Sequence, residues 1–284
     1  MSGNVYELGR VPLLSILGMA VSAIVSIGIA VAALIIIYKK TKGKLISSLI
    51  GAVTFIVLVL FVEQLLHQVL FSLFPDFFLG NRFVYAVYGG MAAAVFEEFG
   101  RLLAMGVIMK KFLTKQNSLL YGVGHGGAEA VILGGLNGIS NIMFSLLINA
   151  GIMEKLLGGV LSSQAPALAA QLSPLWLQPS YMFLIAPVER IGAFVLQFCL
   201  SYFVYRSIRN RNAAYFILAL GIHFTVDAGI VLAANAMPLL LVEALFLIVV
   251  AQIAAGVFLL YRFERAKKEP AAEIAAAGQG IVNG

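Results

Sequence analysis

The sequence predicts an all-α protein, a polytopic membrane helical bundle of about seven transmembrane helices, on three observations. Hydrophobic residues make up 61% of the 284 positions and charged residues only 11%. Several apolar runs exceed the roughly 20 residues that a helix needs to cross a bilayer. The basic residues gather in alternate connections between those runs. No segment outside the runs is long enough to build a separate soluble core, so residues 1–268 form one transmembrane domain and the low-complexity stretch 269–284 a flexible cytoplasmic tail.

The first run, 11–38, is far longer than the apolar core of a signal peptide and predicts a retained first helix. The second, 45–73, follows Lys39, Lys40, Lys42 and Lys44, and the third, 84–111, ends at Lys110 and Lys111. The fourth, 118–149, is longer than a bilayer requires and contains Gly122, Gly124, Gly126, Gly127, Gly134, Gly135 and Gly138, the composition of a kinked, broken or closely packed helix. The connection 150–179, with Pro166, Pro174, Pro179 and Trp176, is expected on the outer side and partly interfacial. Spans at 180–206, 213–235 and 239–262 complete the set, bounded by Arg206, Arg209 and Arg211 and then by Arg262, Arg265, Lys267 and Lys268. Of 19 Lys and Arg residues, these loop residues and Lys115 fall on one side, Arg10, Arg82 and Lys155 on the other. A multi-pass protein of the cell membrane with its N-terminus outside and its C-terminus cytoplasmic follows from that bias. The same placement accounts for the net charge of +6 without a nucleic-acid partner. A lone cysteine, Cys199, allows neither an intramolecular disulfide nor a Cys-based metal site.

Against this background a few ionisable residues lie where charge is expensive: Glu97, Glu98, Arg101, His125, Glu129, His223 and Asp227. Glu97 with Arg101, His125 with Glu129, and His223 with Asp227 are each four residues apart, so each of three helices presents a polar pair on one face. Depths along the helices, at about 1.5 Å per residue, allow Glu97, His125 and His223 to share one layer. Adjacent carboxylates with a histidine from each of two other helices suffice to split water. One carboxylate takes the proton of a water that His125 helps to hold, and His223 with a partner stabilises the oxyanion that develops on a carbonyl. The same residues can bind zinc, with Glu97, His125, Glu129, His223 and Asp227 as the ligand set. Glu98 with Arg101 reads equally as a structural ion pair. Glu63 with His67, and Glu189 with Arg190, are placed nearer the outer half, as structural pairs or in substrate entry.

The run Glu97-Glu98-Phe99-Gly100-Arg101, then His125 in a Gly-rich span with Glu129, then His223 and Asp227 four apart, resembles the pattern of the Abi/CAAX-protease-like glutamic intramembrane proteases. Within that group the chain most resembles the YhfC family of membrane peptidases. The resemblance implies a membrane-embedded endopeptidase with Glu97 as the catalytic glutamate and His125 as its partner in activating water. It implies that His223 with Asp227 stabilises the oxyanion and that Glu98 and Arg101 support them. Glu-Glu-x-x-Arg is one residue shorter than the spacing usual in the CAAX branch, and Glu129 lies outside that branch's signature, which points away from a prenylated substrate.

The favoured expectation is therefore glutamate- and histidine-activated hydrolysis of a peptide bond in or near a transmembrane segment of a membrane protein. No cofactor is favoured, zinc being the open alternative. The expected partners are that transmembrane or membrane-anchored substrate and the lipid bilayer. Two readings from other classes stand beside it. A proton-coupled carrier would also use buried Glu, Asp and His, although no internal repeat supports it. A non-catalytic immunity or scaffold protein would keep the fold without the chemistry.

Overall fold

The structure, a computed structural model, describes residues 8–159 and 163–282, with side chains described up to residue 263. The side chains of Arg265, Lys267, Lys268 and the expected tail lie outside the described ones. The described residues form helices joined by short connections, with no strand among them. We number the long helices α1 (Leu13–Thr41), α2 (Ile46–Leu73), α3 (Arg82–Leu103, continued by a π-helical turn over Ala104–Ile108), α4 (Lys115–Asn149), α5 (Ser180–Asn210), α6 (Ala214–Ala236) and α7 (Leu239–Val282). Six of these, α3 excepted, are long and apolar enough to cross a membrane. α3 is of comparable length but carries Glu97, Glu98 and Arg101.

Local chemistry sets the boundaries. Asn81 caps α3 by accepting from the backbone N–H groups of Phe83 and Val84, and Thr114 caps α4 by accepting from Asn117. Lys42 and Arg211 end α1 and α5 in the left-handed conformation. Helical hydrogen bonding is what allows so apolar a chain to keep its backbone polar groups paired in lipid. Leu13, Ile24, Phe61, Leu65 and Ile217 are all more than 60% exposed, which suits a surface facing hydrocarbon.

The bundle packs α4 between α2 and α5, α3 against α6, and α5 against α1 and α7. Small residues permit the closest approaches, as membrane helices require when no hydrophobic effect drives them together. A Cβ on Gly124 would lie 1.9 Å from the Ser48 carbonyl oxygen, and one on Gly51 2.2 Å from that of Tyr121, so α2 and α4 meet backbone to backbone. Gly90 does the same for α3 against Ala228 of α6. The long fourth helix is closely packed and unbroken, with a π-helical stretch at Ala130–Leu136. A second π-helical stretch, Ile56–Glu63, lies within α2. At one end of the bundle the connection after α4 forms short helices Ile152–Gly158, Ala165–Leu172 and Pro174–Leu177. Their Met153, Leu157 and Leu172 pack with Val11 and Met19 into a small apolar cluster.

Candidate active site

Three helices bring the sequence-predicted charges together. On α3 the spacing of Glu97, Glu98 and Arg101 turns all three inward, and burial is nearly complete: Glu97 is 5% exposed, Glu98 and Arg101 0%. The Gly-rich stretch of α4 lets the helix sit close enough to α2 and α5 to insert His125, also 0% exposed. α6, held against α3 at Gly90, contributes His223.

The hydrogen bonds divide Glu97 into two sides. Its Oε2 accepts from His125 Nε2 at 2.8 Å, from Gln197 Nε2 at 2.9 Å and from Arg101 Nη2 at 3.0 Å. Its Oε1 lies 3.8 Å from His223 Nε2. Arg101 also donates to Glu98 and to the Gln197 side-chain oxygen, so one guanidinium joins α3 and α5. A charge buried this deeply is tolerable only with partners of this kind, and removing one would strand the others. The His125 ring packs edge-on to Phe55 and against Tyr121. With Nε2 donating to Glu97, the Nδ1 of a neutral His125 is an acceptor, and among the described residues that atom has no hydrogen-bond partner.

His223 is oriented from both ends. Nδ1 is 2.7 Å from Glu98 Oε1, and Nε2 is 3.4 Å from Asp227 Oδ2 as well as near Glu97. Asp227 is the most accessible of the set, its side chain 35% exposed, and with His223 it lines a cavity of 340 Å³. Glu129, Arg190 and Gln197 line the same cavity. Glu129 accepts from Gln197 at 2.7 Å and pairs with Arg190 at 3.4 Å, while Arg190 also holds Glu189. Glu129, expected beside His125 as its neighbour on one helix face, instead faces α5. Glu189 and Arg190, expected nearer the outer half as a structural pair or in substrate entry, line the same cavity as His223 and Asp227. Gln197 was not anticipated at all, and its one signal in the sequence is a polar amide inside the apolar run 191–205.

Among the described residues no three His, Cys, Asp or Glu side chains are gathered as a metal-binding group. His223 Nε2 nevertheless lies 3.8 Å from Glu97 Oε1 and 3.4 Å from Asp227 Oδ2, and imidazole and carboxylate are donor types of zinc sites. The carboxylate of Glu98 behind His223 is the usual support of a ligating imidazole. Glu129 and His125, the other expected ligands, are engaged elsewhere, with Arg190 and Gln197 and with Glu97.

A family model described as YhfC intramembrane metalloprotease matches residues 25–249, a stretch that contains every site residue named above. The chain belongs to the YhfC family. A relative from Bacillus subtilis (strain 168), named as an uncharacterized membrane protein YhfC, is 33% identical over 200 residues, covering 69% of this chain and 77% of its own. No solved structure matches. The multi-pass helical architecture and the membership of a family described as intramembrane proteases thus agree with the sequence reading at that level.

Proposed function

We propose that this chain is a membrane-embedded endopeptidase that hydrolyses a peptide bond in or beside a transmembrane segment of another membrane protein, with Glu97 activating the water. The observation that carries the reading is the division of Glu97 into a fixed oxygen and a second oxygen beside His223. A general base needs a preorganised carboxylate with one lone pair directed at the reacting water.

In this reading Glu97 Oε1 takes a proton from water as the water oxygen bonds to the scissile carbonyl carbon. His223, steadied by Glu98 and Asp227, stabilises the oxyanion. As the C–N bond breaks, Glu97 returns the proton to the leaving amine. Arg101, His125 and Gln197 hold Glu97 in place from behind. The substrate helix must first unwind at the cleaved bond, because its backbone groups are otherwise paired.

A zinc-dependent version of the same reaction is favoured by the family's description and by the carboxylate oxygens of Glu97 and Asp227 that each approach His223 Nε2. His223, Glu97 and Asp227 would hold the ion, which supplies an acidified water and a polarised carbonyl.

The test compares the N-termini of membrane proteins in cells carrying the native chain with those in cells carrying Glu97→Gln at matched expression. New termini within or next to a spanning segment that depend on Glu97 are the expected result. Identical sets under several growth conditions would overturn the peptidase reading.

A further inference from the structure

One buried polar group stands outside the machinery described above. Glu63, on α2, is 5% exposed, and its Oε2 has no hydrogen-bond partner among the described residues. It closes the π-helical stretch Ile56–Glu63, and such irregular turns recur at functional sites because they re-aim a side chain out of α-helical register. Its other oxygen, Oε1, lies 3.2 Å from His67 Nε2, and His67 Nδ1 lies 2.7 Å from the Tyr88 hydroxyl. The His67 ring is itself clamped, stacked on Phe71 and edge-on to Tyr88. A chain from α3 back to α2 therefore fixes one carboxylate oxygen and leaves the other unpaired. Glu63 lies within electrostatic reach of Glu97, His223 and Asp227. The residues after Tyr88, Gly89 and Gly90, line the cavity that His223 and Asp227 share.

An unpaired carboxylate oxygen buried among helices is costly unless something donates to it. The donor that an intramembrane peptidase must accommodate is the backbone N–H set free when its substrate helix unwinds, which lipid cannot satisfy. We propose that Glu63 is a substrate-binding residue: its Oε2 accepts a backbone N–H of the unwound transmembrane segment, while His67 and Tyr88 hold the carboxylate in position. The assignment rests on the peptidase reading and extends it to a residue that binds the substrate backbone without taking part in the proton transfers.

The probe is a synthetic transmembrane peptide with a central Gly-Pro break and a terminal fluorophore, reconstituted with the full chain in vesicles of phosphatidylethanolamine and phosphatidylglycerol. Binding is read by energy transfer to a label at the protein's C-terminus, in the Glu97→Gln background so that turnover does not interfere. Adding Glu63→Leu should weaken binding about tenfold or more, as expected when a buried donor loses its acceptor, whereas Glu63→Gln, which keeps an acceptor oxygen, should retain most of it. Peptides carrying an ester in place of single amides near the break remove one N–H each. One of them should lose affinity for the Glu63 protein and not for the Glu63→Leu protein, the coupling that marks a direct contact. Equal binding with and without Glu63, no peptide showing that coupling, or no binding to either protein would overturn the assignment. Cleavage of the same peptide by the native chain reports separately on the peptidase reading. Glu63-dependent binding without cleavage sinks the enzyme and keeps the contact, and cleavage indifferent to Glu63 does the reverse.

Discussion

The two oxygens of Glu97 inhabit different surroundings, although they are parts of one group. Oε2 is held by His125, Gln197 and Arg101 from α4, α5 and α3, all three at most 4% exposed. Oε1 looks toward His223, whose neighbour Asp227 stands at the cavity with its side chain about a third exposed. The first environment is a closed network of hydrogen bonds, and the second borders His223, which with Asp227 lines the 340 Å³ cavity. The difference shows how one carboxylate can be held firmly on one oxygen while the other keeps a single, longer approach to a neighbour. On the proposed reading, deep burial fixes the group and the chemistry falls to its other oxygen.

Substitutions on the two sides should therefore fail differently. Replacing Arg101 by Met leaves Glu97 and Glu98 buried without their guanidinium, and removal of one member of such a network costs about 3–5 kcal/mol. The expected outcome is loss of the folded, monodisperse protein in detergent, read by thermal unfolding and size exclusion. Glu97→Gln keeps the shape and most hydrogen-bonding capacity, so it should leave the melting temperature nearly unchanged while cutting hydrolysis by about 10²–10⁴, the contribution typical of a positioned acid or base. If Glu97→Gln unfolded the protein instead, the two sides would not be separable. Gly124→Ala places a methyl against the Ser48 carbonyl, 1.9 Å from the ideal Cβ, and should destabilise by about 1–3 kcal/mol as α4 is pushed from α2. Activity should fall with it, because His125 rides on the same helix. The smallest effect is expected at the open side: Asp227→Asn keeps the size of a side chain already exposed to the cavity, so stability should change by less than about 0.5 kcal/mol. Turnover should still drop measurably, since the orientation of His223 depends on it.

Much of the bundle and of the closed network was legible in the sequence because the signal was local. Apolar runs gave the spans, and residues four apart gave the polar faces of α3 and α6. Glu97, His125 and His223, expected in one layer, do meet in one cluster. What was not legible depends on how helices turn toward one another. Glu129 shares a helix with His125, yet the π-helical stretch that begins at Ala130 accompanies its turn toward Arg190 and Gln197. The link from Glu129 to Arg190 and Glu189 crosses from α4 to α5, which spacing along either helix cannot reveal. Gln197 is a neutral amide in an apolar stretch and carried no charge to flag it. Glu63 was visible as the neighbour of His67, but its approach to the site could be seen only once α2 and α3 were packed.

The claim at the centre of this account is that a glutamate held from behind activates water within the membrane. It is tested most directly with purified protein, stripped of metal and reconstituted in liposomes with a membrane-protein substrate identified from Glu97-dependent termini. The account predicts that the metal-free native chain cuts this substrate at the terminus found in cells and that Glu97→Gln, equally folded, does not. Equal cutting by both proteins, or cutting by the native chain only after zinc is returned, would contradict it.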